Sequence, residues 1–152
     1  MSVRAVEILH RLVDEVINGE RLDLIDELFA AEYQNHGPFP WAVQTRNDLR
    51  RFGFVRALGF PDAEVTLDEV LSSGELVAYT GVLRATNTAE ILGVPPTGGR
   101  IQIRLIGIFR LRGAQLVEHW GLVDELGLLQ QIGIAPDSIR SLVPTSSRSE
   151  AS

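Results

Sequence analysis

Asp124 stands where an apolar strand pattern gives way to a short apolar helix, in the stretch Leu116 to Gly133, LVEHWGLVDELGLLQQIG. Side chains alternate along a strand, so Glu118, Trp120, Leu122 and Asp124 share one side. If that side faces a pocket, the carboxylate ends an aromatic and aliphatic wall. Partial removal of water disfavours the anion and raises its pKa toward neutrality, where one side chain can take a proton and return it. Asp is also a favoured N-cap residue, and a helix beginning near Glu125 would use it as one. Both roles stay open.

Three histidines offer proton exchange near neutral pH. His36 lies beside Asn35 in a loop, where an imidazole or an amide could orient a carbonyl or a water; a surface histidine is the plainer reading. His119 precedes Trp120 and in a regular strand points to the face opposite Asp124, unless a bulge intervenes. His10 sits on a helix face with no partner nearby. In Ile101 to Leu111, IQIRLIGIFRL, one face carries Ile101, Ile103, Leu105, Gly107, Phe109 and Leu111 and is core. The other carries Gln102, Arg104, Ile106, Ile108 and Arg110, which suits either a solvent face or a polar-tipped cavity lining. Arg104 in a cavity would hold a carboxylate or enolate oxygen by paired hydrogen bonds.

Other chemistries are poorly supplied. The chain has no cysteine, hence neither thiolate nor disulfide, and no GxSxG elbow. Histidines at positions 10, 36 and 119 do not form an HExxH site, and no carboxylates have EF-hand spacing. Gly93 to Gly99, GVPPTGG, lacks the lysine and following helix of a phosphate loop. Proton transfer by a carboxylate, with no metal or organic cofactor, survives elimination.

The elements that must position these residues can be read from periodicity. Val3, Val6, Leu9, Leu12, Val13, Val16 and Ile17 recur at helical intervals up to Asn18-Gly19. A short helix is expected over Leu22 to Phe29, then a loop over Tyr33 to Trp41, rich in Gly and Pro. Thr45 and Asp48 resemble a capping box opening a third helix, with Leu49, Phe52 and Val55 inward and an end at Gly59. After Pro61 the period becomes two. Strands are predicted over Val65 to Leu71, Glu75 to Asn87, Arg100 to Leu111 and Gln115 to Val123, with turns at Ser73-Gly74 and Arg112-Gly113-Ala114. Residues 1–135 read as one domain and 136–152, rich in Ser, Pro, Thr and Arg, as a flexible tail. Helices followed by an antiparallel meander predict an α+β fold, a long curved sheet closed into a cone by helices.

A chain of 152 residues can surround a small cavity within one core. Its net charge of -6 and scattered arginines argue against nucleic acid, and Arg46, Arg50 and Arg51 fit a solvated helix face. No apolar run is long enough to span a membrane and the first residues meet charges too soon for a secretory signal, so the expected location is cytoplasmic.

Phe60-Pro61-Asp62, the GVPPTG loop at Gly93 to Gly98, IFRLRGAQLVEHW at Ile108 to Trp120 and DELGLLQQIG at Asp124 to Gly133 together resemble the SnoaL-like polyketide cyclases of the nuclear transport factor 2-like superfamily. The resemblance runs from about residue 4 to residue 133. It implies the cone-shaped fold, a homodimer or higher homo-oligomer formed through the open sheet face, and a polyketide-like small-molecule substrate of secondary metabolism. It implies Asp124 as the acid/base of an intramolecular aldol ring closure, with His36 matching a histidine common in the family's early loop. Asn35, Trp120, Arg104, Gln102, Asn87, Trp41 and Tyr79 are the expected substrate-holding side chains. Where members often carry Gly-Thr-His, this chain reads Ala85-Thr86-Asn87, and asparagine exchanges no proton near neutral pH. Two other functions fit the same pattern. One is epoxide opening or isomerisation with Asp124, Arg104 and Asn35 as acid, orienter and water holder. The other is a non-catalytic binding or scaffold module, with Phe39, Trp41 and Phe54 at an interface.

Overall fold

The computed structural model describes residues 2–37, 43–53, 60–91 and 93–134. Helix α1, Val3–Arg11, is capped by Ser2 and continues through wider π-type turns over Leu12–Asn18. A single 3-10 turn, Leu22–Leu24, leads into α2, Ile25–Leu28. Strand β1, Phe29–Asn35, then precedes α3, Arg46–Phe52. The meander follows as β2, Glu64–Ser73, β3, Leu76–Thr86, β4, Arg100–Arg112, and β5, Gln115–Val123, and α4, Glu125–Gln131, ends the described chain. The fold is α+β: one curved five-stranded sheet with helices packed on its inner face.

Strand order is β1-β5-β4-β3-β2. β2 to β5 pair antiparallel as neighbours, whereas β1 lies parallel to β5, with Gln34 opposite Glu118 and Asn35 opposite His119. This strand corrects the sequence reading, which ended a helix at Phe29 and began a loop at Tyr33. Ala30 and Ala31 favour helix locally, but Phe29 and Tyr33 have fully buried side chains, and burial against β5 outweighs that preference. The predicted capping box is present in full, with Thr45 Oγ1 accepting from the Asp48 N–H and the Asp48 carboxylate accepting from the Thr45 N–H at 2.9 Å. Val55, Phe54 and the expected helix end at Gly59 lie outside the described residues, as do Phe39, Trp41 and the tail at 136–152.

Two apolar clusters line the inner face. One joins α1 to Phe29, Tyr33, Val77, Phe109, Leu111 and Leu116; the other joins Val13 to Leu83, Ile101, Ile103, Leu128 and Ile132. Asn18 ties helix to sheet, its amide donating to Val65 O and accepting from Val65 N–H, both at 2.8 Å. No helix among the described residues is long and apolar enough to cross a membrane.

Candidate functional site

Strand β5 sends neighbouring side chains to opposite sides of the sheet, and its histidine takes the dry one. His119 is 7% exposed, while Trp120 is 36% and Leu122 67% exposed. The side shared by Glu118, Trp120, Leu122 and Asp124 is therefore the outer face, not a pocket wall. A bulge does occur in β5, between the pairs Arg110–Glu118 and Leu111–Leu116. It lies before His119, so alternation from Glu118 onward is regular.

Around His119 the inner face assembles a hydrogen-bonded chain. Its Nδ1 is 2.8 Å from Asn35 Oδ1, and its Nε2 is 2.9 Å from the Tyr79 hydroxyl. Phe109, its partner across the β4–β5 ladder, stacks on the imidazole with centroids 4.1 Å apart. Two glycines make room. Gly107 and Gly121 face each other across the same ladder, and a Cβ at Gly107 would stand 2.6 Å from the Tyr79 oxygen, one at Gly121 2.6 Å from His119 Cε1. Glycine inside a strand marks such a close approach. Burial disfavours the imidazolium, and His36 nearby adds a smaller effect in the same direction, bringing the His119 pKa down to about 4. Burial likewise pushes the Tyr79 hydroxyl well above the usual phenol range.

Tyr33, from β1, stands in the same inner cluster and is 1% exposed. Its hydroxyl has no hydrogen-bond partner among the described residues, its pKa is raised by burial, and it senses the charge of Tyr79. Sequence reasoning missed Tyr33 by placing it in a loop and passed over His119 by following the Asp124 side of β5. The strand-interior glycines Gly107 and Gly121 were the available signal.

The other expected site residues are dispersed. Asp124 is exposed and caps α4, one carboxylate oxygen accepting from the Gly127 N–H at 2.9 Å. Arg104 and Gln102 are exposed on the outer face, the solvent-face alternative of the two that the strand pattern left open, and not at a cavity as expected for substrate-holding side chains. Gln102 instead exchanges backbone hydrogen bonds with the Gln131 amide of α4, at 2.8 and 3.0 Å. His36 is exposed and stacks on Trp120, centroids 5.2 Å apart, with Nε2 3.3 Å from Glu118. Arg110 completes this outer cluster, donating to Glu118 at 3.0 Å and lying over the Trp120 ring. Asn87 is buried at the foot of the GVPPTG loop, donating to Thr97 Oγ1 at 3.3 Å. The structure thus brings Asn35 and Tyr79 together around His119 and leaves Asp124, Arg104, Gln102, His36, Trp120 and Asn87 elsewhere. Strand rise of about 3.4 Å per residue sets Asp124 roughly 17 Å along β5 from His119, so Asn35 does not join Asp124 and Arg104. Among the described residues, no group of three or more His, Asp or Glu could hold a metal ion.

The arrangement holds a phenol hydrogen-bonded to an imidazole that is sheltered from water. Comparison with known proteins says which reactions to consider. The family model for SnoaL-like polyketide cyclases matches residues 7–132. The nogalonic acid methyl ester cyclase of Streptomyces nogalater is 25% identical over 118 residues, which cover 76% of this chain and 88% of that protein. Among solved structures, IdmH of Streptomyces antibioticus, a candidate polyketide cyclase, is 28% identical with a TM-score of 0.73, covering 87% of this chain and 99% of that one. A candidate SnoaL-like polyketide cyclase of Jannaschia sp. CCS1 is 26% identical with a TM-score of 0.76, covering 88% and 94%.

Proposed function

The chain belongs to the SnoaL-like polyketide cyclase family, and we propose that it closes a ring in a polyketide-like small molecule by an intramolecular aldol reaction, using Tyr79 and His119 as its acid/base pair. The observation that carries this reading is the hydrogen bond between the two on the dry side of the sheet, at 2.9 Å. A carbon flanked by two carbonyls gives its proton to the Tyr79 oxygen as Tyr79 passes its own to His119 Nε2. The enolate carbon attacks a second carbonyl and forms the carbon–carbon bond. The new alkoxide then takes a proton from Tyr79, which recovers one from His119. No proton is consumed and no oxidant is needed. An enolate flanked by carbonyls is already delocalised, so a hydrogen-bonded phenol suffices to generate it. Tyr33, with a hydroxyl still available, is the donor for the developing oxyanion. Folding the chain so that the two carbons meet supplies much of the remaining acceleration.

This reading moves the acid/base role from the carboxylate expected at Asp124, because that carboxylate is exposed on the outer side and already engaged as the N-cap of α4. It also includes a homodimer or higher oligomer through the outer face. Leu71, Ala78, Ile108 and Trp120 are successive cross-strand partners there, and Ile106 and Leu122 pair in the next row. Leu71, Ile106, Ile108 and Leu122 are 40% or more exposed, the kind of contiguous apolar strip that marks an interface.

Incubation with linear poly-β-carbonyl esters, nogalonic acid methyl ester among them, in 18O-labelled water tests the reaction class. Ring-closed product free of solvent oxygen is expected. Solvent oxygen fixed in the product of an epoxide substrate would favour hydrolytic opening instead. Binding with no conversion of any substrate would leave a non-catalytic module.

A further inference from the structure

Asn35 is held by two backbone groups that cannot exchange roles. Its Nδ2 donates to Val43 O at 2.8 Å, and its Oδ1 accepts from the Gly37 N–H at 3.0 Å. A carbonyl can only accept and a backbone N–H can only donate, so the amide has a single orientation. The atom it turns toward His119 is consequently Oδ1, an acceptor, 2.8 Å from Nδ1. Nδ1 must then carry the imidazole hydrogen. In the neutral ring that leaves Nε2 as an acceptor, and the Tyr79 hydroxyl donates to it.

We propose that Asn35 is a positioning residue that fixes the direction of this chain, so that the Tyr79 oxygen meets the substrate with its own hydrogen committed to His119 and its lone pairs free to take a proton. This deepens the cyclase reading and rests on it for the word substrate, though the hydrogen-bond direction stands independently. An amide suits the purpose better than a carboxylate would. Aspartate at position 35 would also accept from Nδ1, but its charge would stabilise the imidazolium and raise the pH below which Nε2 carries a proton. Among the described residues, nothing else facing His119 does this. The elements packed against it present Tyr79 from β3, Phe109 from β4 and Asn35 from β1, with His36 felt at longer range. Glu118, its neighbour in sequence, is on the outer face with Arg110 and His36.

The test reads the ring directly. Long-range 1H–15N NMR on the wild-type protein at pH 7 is expected to give the Nδ1–H tautomer for His119, and an Nε2–H tautomer would overturn the proposal. In Asn35→Asp the His119 pKa should rise by about one unit or more, and the acid limb of kcat/KM for ring closure should move up by the same amount. An unmoved pKa in a folded Asn35→Asp protein would also overturn it. Should that variant fail to fold, because its carboxylate faces Val43 O, the wild-type tautomer still decides. Because the tautomer is measured without substrate, failure of the cyclase reading and failure of this one give different results.

Discussion

His119 and Trp120 are neighbours on one strand, yet one side of the sheet is dry and the other wet. On the inner side, His119, Tyr79 and Asn35 form a chain with every bond directed, packed against Phe109 and cradled by two glycines. On the outer side, His36, Trp120, Arg110 and Glu118 also combine an imidazole, an aromatic ring and hydrogen bonds. The inventories are similar and the settings are not. Water screens the charges of the outer cluster. Burial lowers the His119 pKa and raises that of Tyr79, which holds both groups neutral and keeps the hydrogen bond between them directed.

If this contrast decides function, substitutions on the two faces should differ most in turnover. His119→Gln and Tyr79→Phe are each expected to lower kcat for ring closure by about 100-fold or more, the usual range for a lost acid/base group, in steady-state assays. His36→Ala should stay within a few-fold of wild type. Equal losses on both faces would break the comparison.

Packing gives the next largest effect. Gly121→Val forces a side chain into the space of the His119 ring, and overpacking of this kind costs about 1–3 kcal/mol, read from denaturant midpoints. The same substitution should lower turnover by displacing Nε2 from Tyr79. The pH dependence of stability sharpens the point. A folded pKa of about 4 lies below the ordinary histidine value of 6.5, so the unfolded chain binds more protons between those pH values. The stabilisation is fully present above about pH 6.5 and lost as pH falls toward 4, by up to about 3 kcal/mol. Wild type should therefore lose more stability than His119→Gln over that window, with shared carboxylate effects cancelling.

On the wet face the expected effects concern assembly and capping. Ile108→Glu should turn an oligomer into monomer in sedimentation velocity, with little change in the far-ultraviolet circular dichroism of the fold. Asp124→Ala removes an N-cap, costing about 1 kcal/mol of stability, with turnover within about twofold of wild type. A 100-fold loss of turnover in Asp124→Asn would return the acid/base role to that carboxylate.

Much of the fold was legible because its signals are local. Alternation in IQIRLIGIFRL predicted β4, and Thr45 with Asp48 predicted the cap of α3. β1 was hidden because Phe29 to Asn35 pairs with β5, some 85 residues away, and its FAAEYQN sequence has no clean alternation. The site was legible only in part. Asn35 and Tyr79 were expected at a site, but their meeting point is a histidine that alternation set opposite Asp124. Which face of a strand is dry depends on where the helices pack, and one strand's sequence does not carry that. Asp124 illustrates the difficulty: capping a helix and exchanging protons call for the same residue type, and exposure separates them.

The most direct measurement is an NMR titration of the His119 ring in the wild-type protein. His119 is expected to stay neutral as pH is lowered through the ordinary histidine range and to gain its proton only at about pH 4. A midpoint near 6.5, the value of a hydrated imidazole, would mean that water reaches the ring freely, and would contradict the assignment of proton transfer to the inner face.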